Sequence, residues 1–172
     1  MGGYSLWLVP KGEVLEKLQN VSDKLSQRYG GPKFVVHMTL IPDVVGTIED
    51  VLEKTERIAR HVKQFEISLE GMGYMFGSLY QCLYVKGVVS DKLVEAVRVA
   101  RAEFDRSGDG RPYKPHISLV YKEDLGDVEK EKVISEVGES LNGLRFMVED
   151  IQVFTSGLPI DGWRRVGKFK LS

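Results

Sequence analysis

Displaced by 79 residues, the chain superposes on itself without a gap, and this internal repeat constrains its fold more than any other feature. Leu15 falls on Val94, Leu18 on Val97, Val21 on Ala100 and Leu25 on Phe104, so the apolar stripes of two helices coincide. Thr55, Ile58 and Val62 fall likewise on Ile134, Val137 and Leu141. Phe65, Ile67 and Leu69 fall on Leu144, Phe146 and Val148, and Phe34 falls on Tyr113. The same displacement lays His37-Met-Thr-Leu40 onto His116-Ile-Ser-Leu119.

Each half reads β-α-β-α-β. In the first, residues 4–10 form a strand ending at Pro10, and a helix with Val14, Leu18, Val21 and Leu25 on one face stops at Gly30-Gly31. Phe34 to Ile41 is a strand closed by Pro42-Asp43, and Thr47, with Asp50 three residues on, caps a helix carrying Val51, Thr55, Ile58 and Val62. Phe65 to Leu69 alternates as a half-buried strand does. In the second half, the strand Tyr80 to Val89 precedes a helix capped by Ser90, with Leu93, Val97, Ala100 and Phe104 inward. A loop, Ser107 to Pro115, leads into the strand His116 to Tyr121. A helix over Val128 to Leu141, a strand over Leu144 to Phe154 and a closing strand over about Arg164 to Leu171 complete it.

The predicted architecture is α+β and bilobal. Two antiparallel sheets related by a pseudo-twofold axis flank a central cleft, with helices outside. The halves are about 1–75 and 79–172 of one unit. With 42% hydrophobic residues over 172, one core needs neither disulfides nor metal.

In a strand, residues i and i+2 share a face, so His37 projects with Thr39 and His116 with Ser118. Each lobe thus offers one imidazole and one hydroxyl to the cleft. Two facing imidazoles suit in-line attack at phosphorus, one removing a proton from the nucleophile while the other protonates the leaving oxygen. The hydroxyls donate to the non-bridging oxygens, where charge accumulates. An unperturbed imidazole titrates near pH ~6.5, so a neutral and a charged histidine coexist at neutral pH and the activity follows a bell. A lone strand histidine is ordinarily structural, satisfied by a backbone carbonyl. Two of only three histidines in one four-residue pattern at equivalent positions arise by chance on the order of once in a few thousand such sequences.

Other chemistries find less support. Zinc takes three or four protein ligands, and no Cys cluster or H-E-x-x-H helix accompanies the two histidines, so no metal and no cofactor is expected. His61 sits in the last turn of a polar helix and reads as a surface residue. Gly71-Met-Gly73 with Gly77 lacks phosphate-loop spacing; this segment links the halves as an ordinary connection or closes over a ligand. Cys82, the only cysteine, lies in an apolar run and reads as a small core residue, excluding an internal disulfide and matching a cytoplasmic or nuclear setting. Twenty-four Lys and Arg against 25 Asp and Glu, without a basic run, argue against DNA or broad RNA capture. No apolar window suits a membrane span or signal peptide. Leu6 stands where a myristoylation site at Gly2 wants Ser or Thr.

Paired H-x-(T/S)-x motifs in duplicated lobes define the two-histidine phosphoesterase superfamily, and nearly the whole chain resembles its plant-type cyclic phosphodiesterase branch. Tyr4-Ser-Leu-Trp-Leu-Val-Pro10, Gly31-Pro-Lys-Phe-Val-Val-His-Met-Thr39, Tyr80-Gln-Cys-Leu-Tyr84 and Tyr113-Lys-Pro-His-Ile-Ser-Leu-Val-Tyr121 carry the likeness, with Trp163 near the closing strand. The resemblance implies a metal-independent hydrolase, and a monomer is expected. It opens ADP-ribose 1″,2″-cyclic phosphate to ADP-ribose 1″-phosphate and nucleoside 2′,3′-cyclic phosphates to 2′-phosphates.

Carried over, catalysis falls on His37 and His116, and binding of the phosphoryl oxygens on Thr39 and Ser118. Tyr121 matches a tyrosine that orients the phosphate or its water, which requires a bend or an end of the strand there. Trp7 matches a tryptophan near the active site. The plant enzymes' extra cysteines are missing, so disulfide control is not expected. The neighbouring 2′-5′ RNA ligase-like group, acting on RNA ends, typically carries an arginine where this chain has Tyr121. A module that binds cyclic phosphates or RNA ends without turnover is a third reading, opposed by the intact histidines and hydroxyls. Pseudosymmetry leaves the sequence almost mute on which histidine does what; His116 as base and His37 as acid is the assignment taken.

Overall fold

A computed structural model describes residues 3–172, so Gly2 lies outside it. The first half comprises β1 (Gly3–Leu8), α1 (Gly12–Tyr29), β2 (Met38–Val45), α2 (Ile48–His61) and β3 (Phe65–Gly73). The second comprises β4 (Leu83–Gly87), α3 (Asp91–Glu103), β5 (His116–Val120), α4 (Asp127–Leu141), β6 (Arg145–Val148), β7 (Asp150–Thr155) and β8 (Arg165–Lys170). No described helix is long and apolar enough to cross a membrane.

Two of the helices start at the caps the sequence shows. Thr47 Oγ1 accepts from the Asp50 amide and Ser90 Oγ from the Leu93 amide. Gly30 ends α1 at φ 70°, in the left-handed conformation that costs a residue without a Cβ least. The buried stripe of α1 is Leu18, Ser22, Leu25 and Ser26; Val14 and Val21 are only half-buried at its margins.

All strand pairs are antiparallel, in the order β6-β3-β4-β5-β2-β1-β7-β8. The α+β duplication stands, but the expected two sheets meet edge to edge. Their joint is one residue pair, Met38 opposite Ile117, which are themselves equivalent in the repeat. The third strand of each half crosses over: β3 lies between β6 and β4, and β7 lies beside β1. A second joint, Phe65–Ser68 against Arg145–Val148, lies at the far end. Because only Glu149 separates β6 from β7, the order begins and ends at neighbouring segments and the sheet curls.

Five sequence expectations need correction. The gap-free repeat fails at the first strand. Leu8 faces Met38 while Val85 faces Ile117, so β1 and β4 correspond at a displacement of 77, with two more residues from Val85 to the start of α3 than from Leu8 to the start of α1. The second strand begins at Met38 and continues through Pro42 to Val45. Pro42 is tolerated because it sits at a bulge whose extra residue, Asp43, takes φ 52°. The strand expected over Tyr80 to Val89 spans only Leu83–Gly87, while that over Leu144 to Phe154 breaks at Glu149 between its partners β3 and β1. Gly71–Gly73 belongs to β3 rather than to the connection.

One face of the sheet supplies Leu6, Leu8, Met38, Leu40, Leu83, Val85, Ile117 and Leu119 to the main core, packed with Leu18, Val97, Ala100 and Val133 of the helices. Cys82 is buried there, its Sγ donating to the Lys122 carbonyl at 3.0 Å, and burial pushes the thiol pKa up. The opposite face carries the site.

Candidate active site

Pairing fixes which side chains share that opposite face. Trp7 lies opposite Thr39, and Tyr84 opposite Ser118. His37 immediately precedes β2 and His116 opens β5, each two residues from its hydroxyl partner. The four motif residues line one cavity of ≈ 320 Å³, with Trp7, Tyr121 and Trp163 in its wall.

The two imidazoles are held alike. His37 Nδ1 lies 2.7 Å from the Val35 carbonyl and His116 Nδ1 lies 2.8 Å from the Lys114 carbonyl, the same contact at equivalent positions. A carbonyl only accepts, so Nδ1 carries the proton in both rings and Nε2 is the nitrogen left to work. The ordinary structural use of a strand histidine is therefore present here, at one nitrogen of each ring.

Their surroundings differ. His37 is 6% exposed, and its ring stacks on Trp7 with centroids 3.4 Å apart and planes 4° apart. Phe154 lies on the indole at 3.9 Å, and Trp163 meets its edge at 5.3 Å. Trp7 Nε1 donates to Ser5 Oγ at 2.8 Å, which fixes the indole in its plane. Burial is the main cause that lowers the His37 pKa to about 3, against the bond to Val35, with repulsion from His116 adding a little. His116 is half-exposed, with Tyr84 tilted over it at 5.0 Å and 55°.

Ser118 Oγ donates to the Tyr80 carbonyl at 2.8 Å. The Thr39 carbonyl accepts from Tyr113 Oη at 2.7 Å, tying the β2 motif to the loop before β5. Strand β5 ends at Val120, so Tyr121 escapes strand parity and turns to the cavity, meeting Phe34 at 4.3 Å and Trp163 at 5.6 Å. Burial raises its phenol pKa, which keeps the hydroxyl a proton donor.

The structure thus brings together His37, Thr39, His116, Ser118, Tyr121 and Trp7. Sequence reasoning missed Ser5 and Tyr84. Ser5 is two residues before Trp7 and so on its face; Tyr84 was hidden by the two-residue offset of the first strands. His61 is exposed on α2, as expected. Among the described residues, no three His, Cys, Asp or Glu side chains converge to hold a metal ion.

Known proteins resemble the chain over nearly its whole length. The family model of the 2′-5′ RNA ligase superfamily matches residues 6–157. Cyclic phosphodiesterase of Arabidopsis thaliana is 24% identical over 98% of this chain and 95% of its own length. Among solved structures, TT0787 of Thermus thermophilus aligns with a TM-score of 0.72 at 21% identity, covering 98% of this chain and 97% of its own. LigT of E. coli aligns at 0.66 and 18% identity, covering 99% and 98%, and has also been solved with 3′-AMP and with NADP+.

Proposed function

The chain belongs to the 2′-5′ RNA ligase superfamily of two-histidine phosphoesterases, and we propose that it hydrolyses cyclic phosphates without a metal. The substrates are ADP-ribose 1″,2″-cyclic phosphate, opened to ADP-ribose 1″-phosphate, and nucleoside 2′,3′-cyclic phosphates, opened to 2′-phosphates. The observation that carries this reading is the pair of equivalent imidazoles, each tethered at Nδ1, each with a hydroxyl two residues on, lining one cavity. The likeness to a plant cyclic phosphodiesterase and the nucleotide complexes of LigT support a nucleotide-sized ligand.

In this mechanism water attacks phosphorus in line with one ester oxygen. His37, kept neutral by burial, takes the water's proton at Nε2, and His116, closer to solvent, gives a proton from Nε2 to the departing oxygen. This reverses the assignment taken from sequence, because the halves match in hydrogen bonding but not in exposure. Afterwards His37 holds a proton and His116 lacks one, so exchange with solvent restores the pair. Ser118 turns its hydroxyl from the Tyr80 carbonyl to a non-bridging oxygen, and Thr39 and Tyr121 donate to the same group. Action on RNA ends is the alternative substrate class, supported by the family's description. Either substrate suits a cytoplasmic or nuclear monomer in RNA metabolism, including the steps around tRNA splicing.

The test is hydrolysis of 2′,3′-cyclic AMP and ADP-ribose 1″,2″-cyclic phosphate in excess EDTA, with phosphorus NMR of the products. Turnover to the 2′-phosphate and the 1″-phosphate is expected. Binding without turnover would replace the enzyme by a recognition module.

A further inference from the structure

A second cavity of ≈ 250 Å³ adjoins the first and shares Thr39, Pro42, Gln81 and His116 with it. Its far wall is basic: Arg101, Arg106, Arg111 and Lys114 line it, with Asp109 as the single carboxylate. The guanidiniums are arranged rather than scattered. Arg111 holds Asp109 through Nε and Nη2, each at 2.9 Å, and Arg106 Nη2 reaches it at 3.3 Å. Arg101 braces the loop by donating to the carbonyls of Asp109 and Arg111 at 3.1 and 3.2 Å. Arg106 also donates to the carbonyl of Pro42, at the bulge beside the catalytic cavity.

Asp43, in the adjoining cavity, also acts on Arg111, yet two carboxylates against four cations leave a local positive surplus in a chain whose formal net charge is −1. Guanidiniums keep unused N–H donors after such bonds, since each has five. A fixed cluster of this kind matches phosphate oxygens in charge and in fork geometry. The neutral overall balance that argued against broad nucleic-acid capture leaves room for one or two phosphates at one place.

We propose that this cavity is a second phosphate subsite, so that the preferred substrate carries, besides the cyclic phosphate at His37 and His116, a further phosphate or diphosphate attached to the same molecule. The proposal rests on the cyclic-phosphate reading above and adds where a further phosphate of the substrate is held. A small diphosphate compound and an RNA 3′ end both offer this chemistry.

The experiment compares kcat/KM for four substrates: 2′,3′-cyclic AMP, its 5′-phosphorylated form, ADP-ribose 1″,2″-cyclic phosphate, and a dinucleotide ending in a 2′,3′-cyclic phosphate. At least one phosphate-bearing substrate should exceed plain 2′,3′-cyclic AMP about tenfold or more, mostly through KM. The ADP-ribose arm and the dinucleotide arm tell which source supplies the phosphate. In Arg101→Gln/Arg111→Gln that preference should fall by roughly tenfold. Because the double variant removes loop bonds, the wild-type preference is also measured against salt, and it should shrink between low and high ionic strength. Equal kcat/KM on all four substrates, or a preference indifferent to salt, overturns the subsite while leaving the hydrolase reading intact. No turnover of any cyclic phosphate by the wild type overturns the underlying reading instead.

Discussion

Trp7 and Tyr84 are pseudo-twofold mates: the first lies opposite Thr39 and the second opposite Ser118, and each ring rests on the histidine of its own half. The contacts differ in kind. Trp7 lies flat on His37 at 3.4 Å, whereas Tyr84 is tilted 55° at 5.0 Å from His116. The duplication thus supplies two like histidines, and the aromatic neighbours make them unlike.

Removing the indole should therefore act on His37 selectively. Trp7→Ala is expected to cost about 3–5 kcal/mol of stability. Water then reaches His37, and its pKa should rise from about 3 toward 6.5. Since the base must be neutral, the acid limb of the kcat/KM profile moves to higher pH. Tyr84→Ala should leave that limb in place. Titration of both variants by NMR checks this, and an unmoved His37 in Trp7→Ala would refute it.

His37 also ties stability to pH. Its folded pKa lies below the unfolded value, so between about 6.5 and about 3 the unfolded chain binds a proton that the folded chain does not. Stability from this group is complete above the unfolded pKa and declines as pH falls through that window, by about 1.4 kcal/mol per pH unit. Urea midpoints at pH 7 and pH 4 should differ more in the wild type than in His37→Gln. Equal differences would mean that His37 is protonated in the fold.

The hydroxyls should show in turnover rather than in affinity. Thr39→Ala and Ser118→Ala are each expected to lower kcat by about 10²-fold with little change in KM, as for donors to a developing charge. Tyr121→Phe should cost less, since it removes one donor from three while keeping the ring against Phe34 and Trp163. A rise in KM at unchanged kcat would make all three uniform binders.

Gly87 guards the joint between the two parts of the sheet. A Cβ there would stand 2.6 Å from Met38 Cε and 2.9 Å from Pro115 Cβ, and the Gly87 amide donates to the Pro115 carbonyl at 2.9 Å. Gly87→Ala should destabilise by about 1–3 kcal/mol and lower turnover as well, because Pro115 precedes His116. Full activity at wild-type stability would show that the joint gives way freely.

Local chemistry was readable in the sequence where it decides structure locally. Thr47 and Ser90 cap their helices, and the histidine-hydroxyl spacing puts each pair on one face because strand parity needs only neighbours. What was hidden depends on partners far along the chain. Pro42 remains within β2 because a bulge against β1 absorbs it, and Glu149 divides the last long strand because β3 and β1 pull its two ends to different neighbours. The kinship of Trp7 and Tyr84 lay behind a two-residue offset of the first strands relative to the rest of the repeat. The unequal burial of His37 and His116 follows from packing of Phe154 and Trp163, which no motif displays.

The most direct test of the paired-histidine account is single-turnover hydrolysis of 2′,3′-cyclic AMP in excess EDTA by the wild type, His37→Ala, His116→Ala and the double variant. Each single change should lower the rate by about two to four orders of magnitude with the fold intact. The double variant should fall little further, because base and acid work on one transition state. A His37→Ala protein that hydrolyses at nearly the wild-type rate would contradict the account.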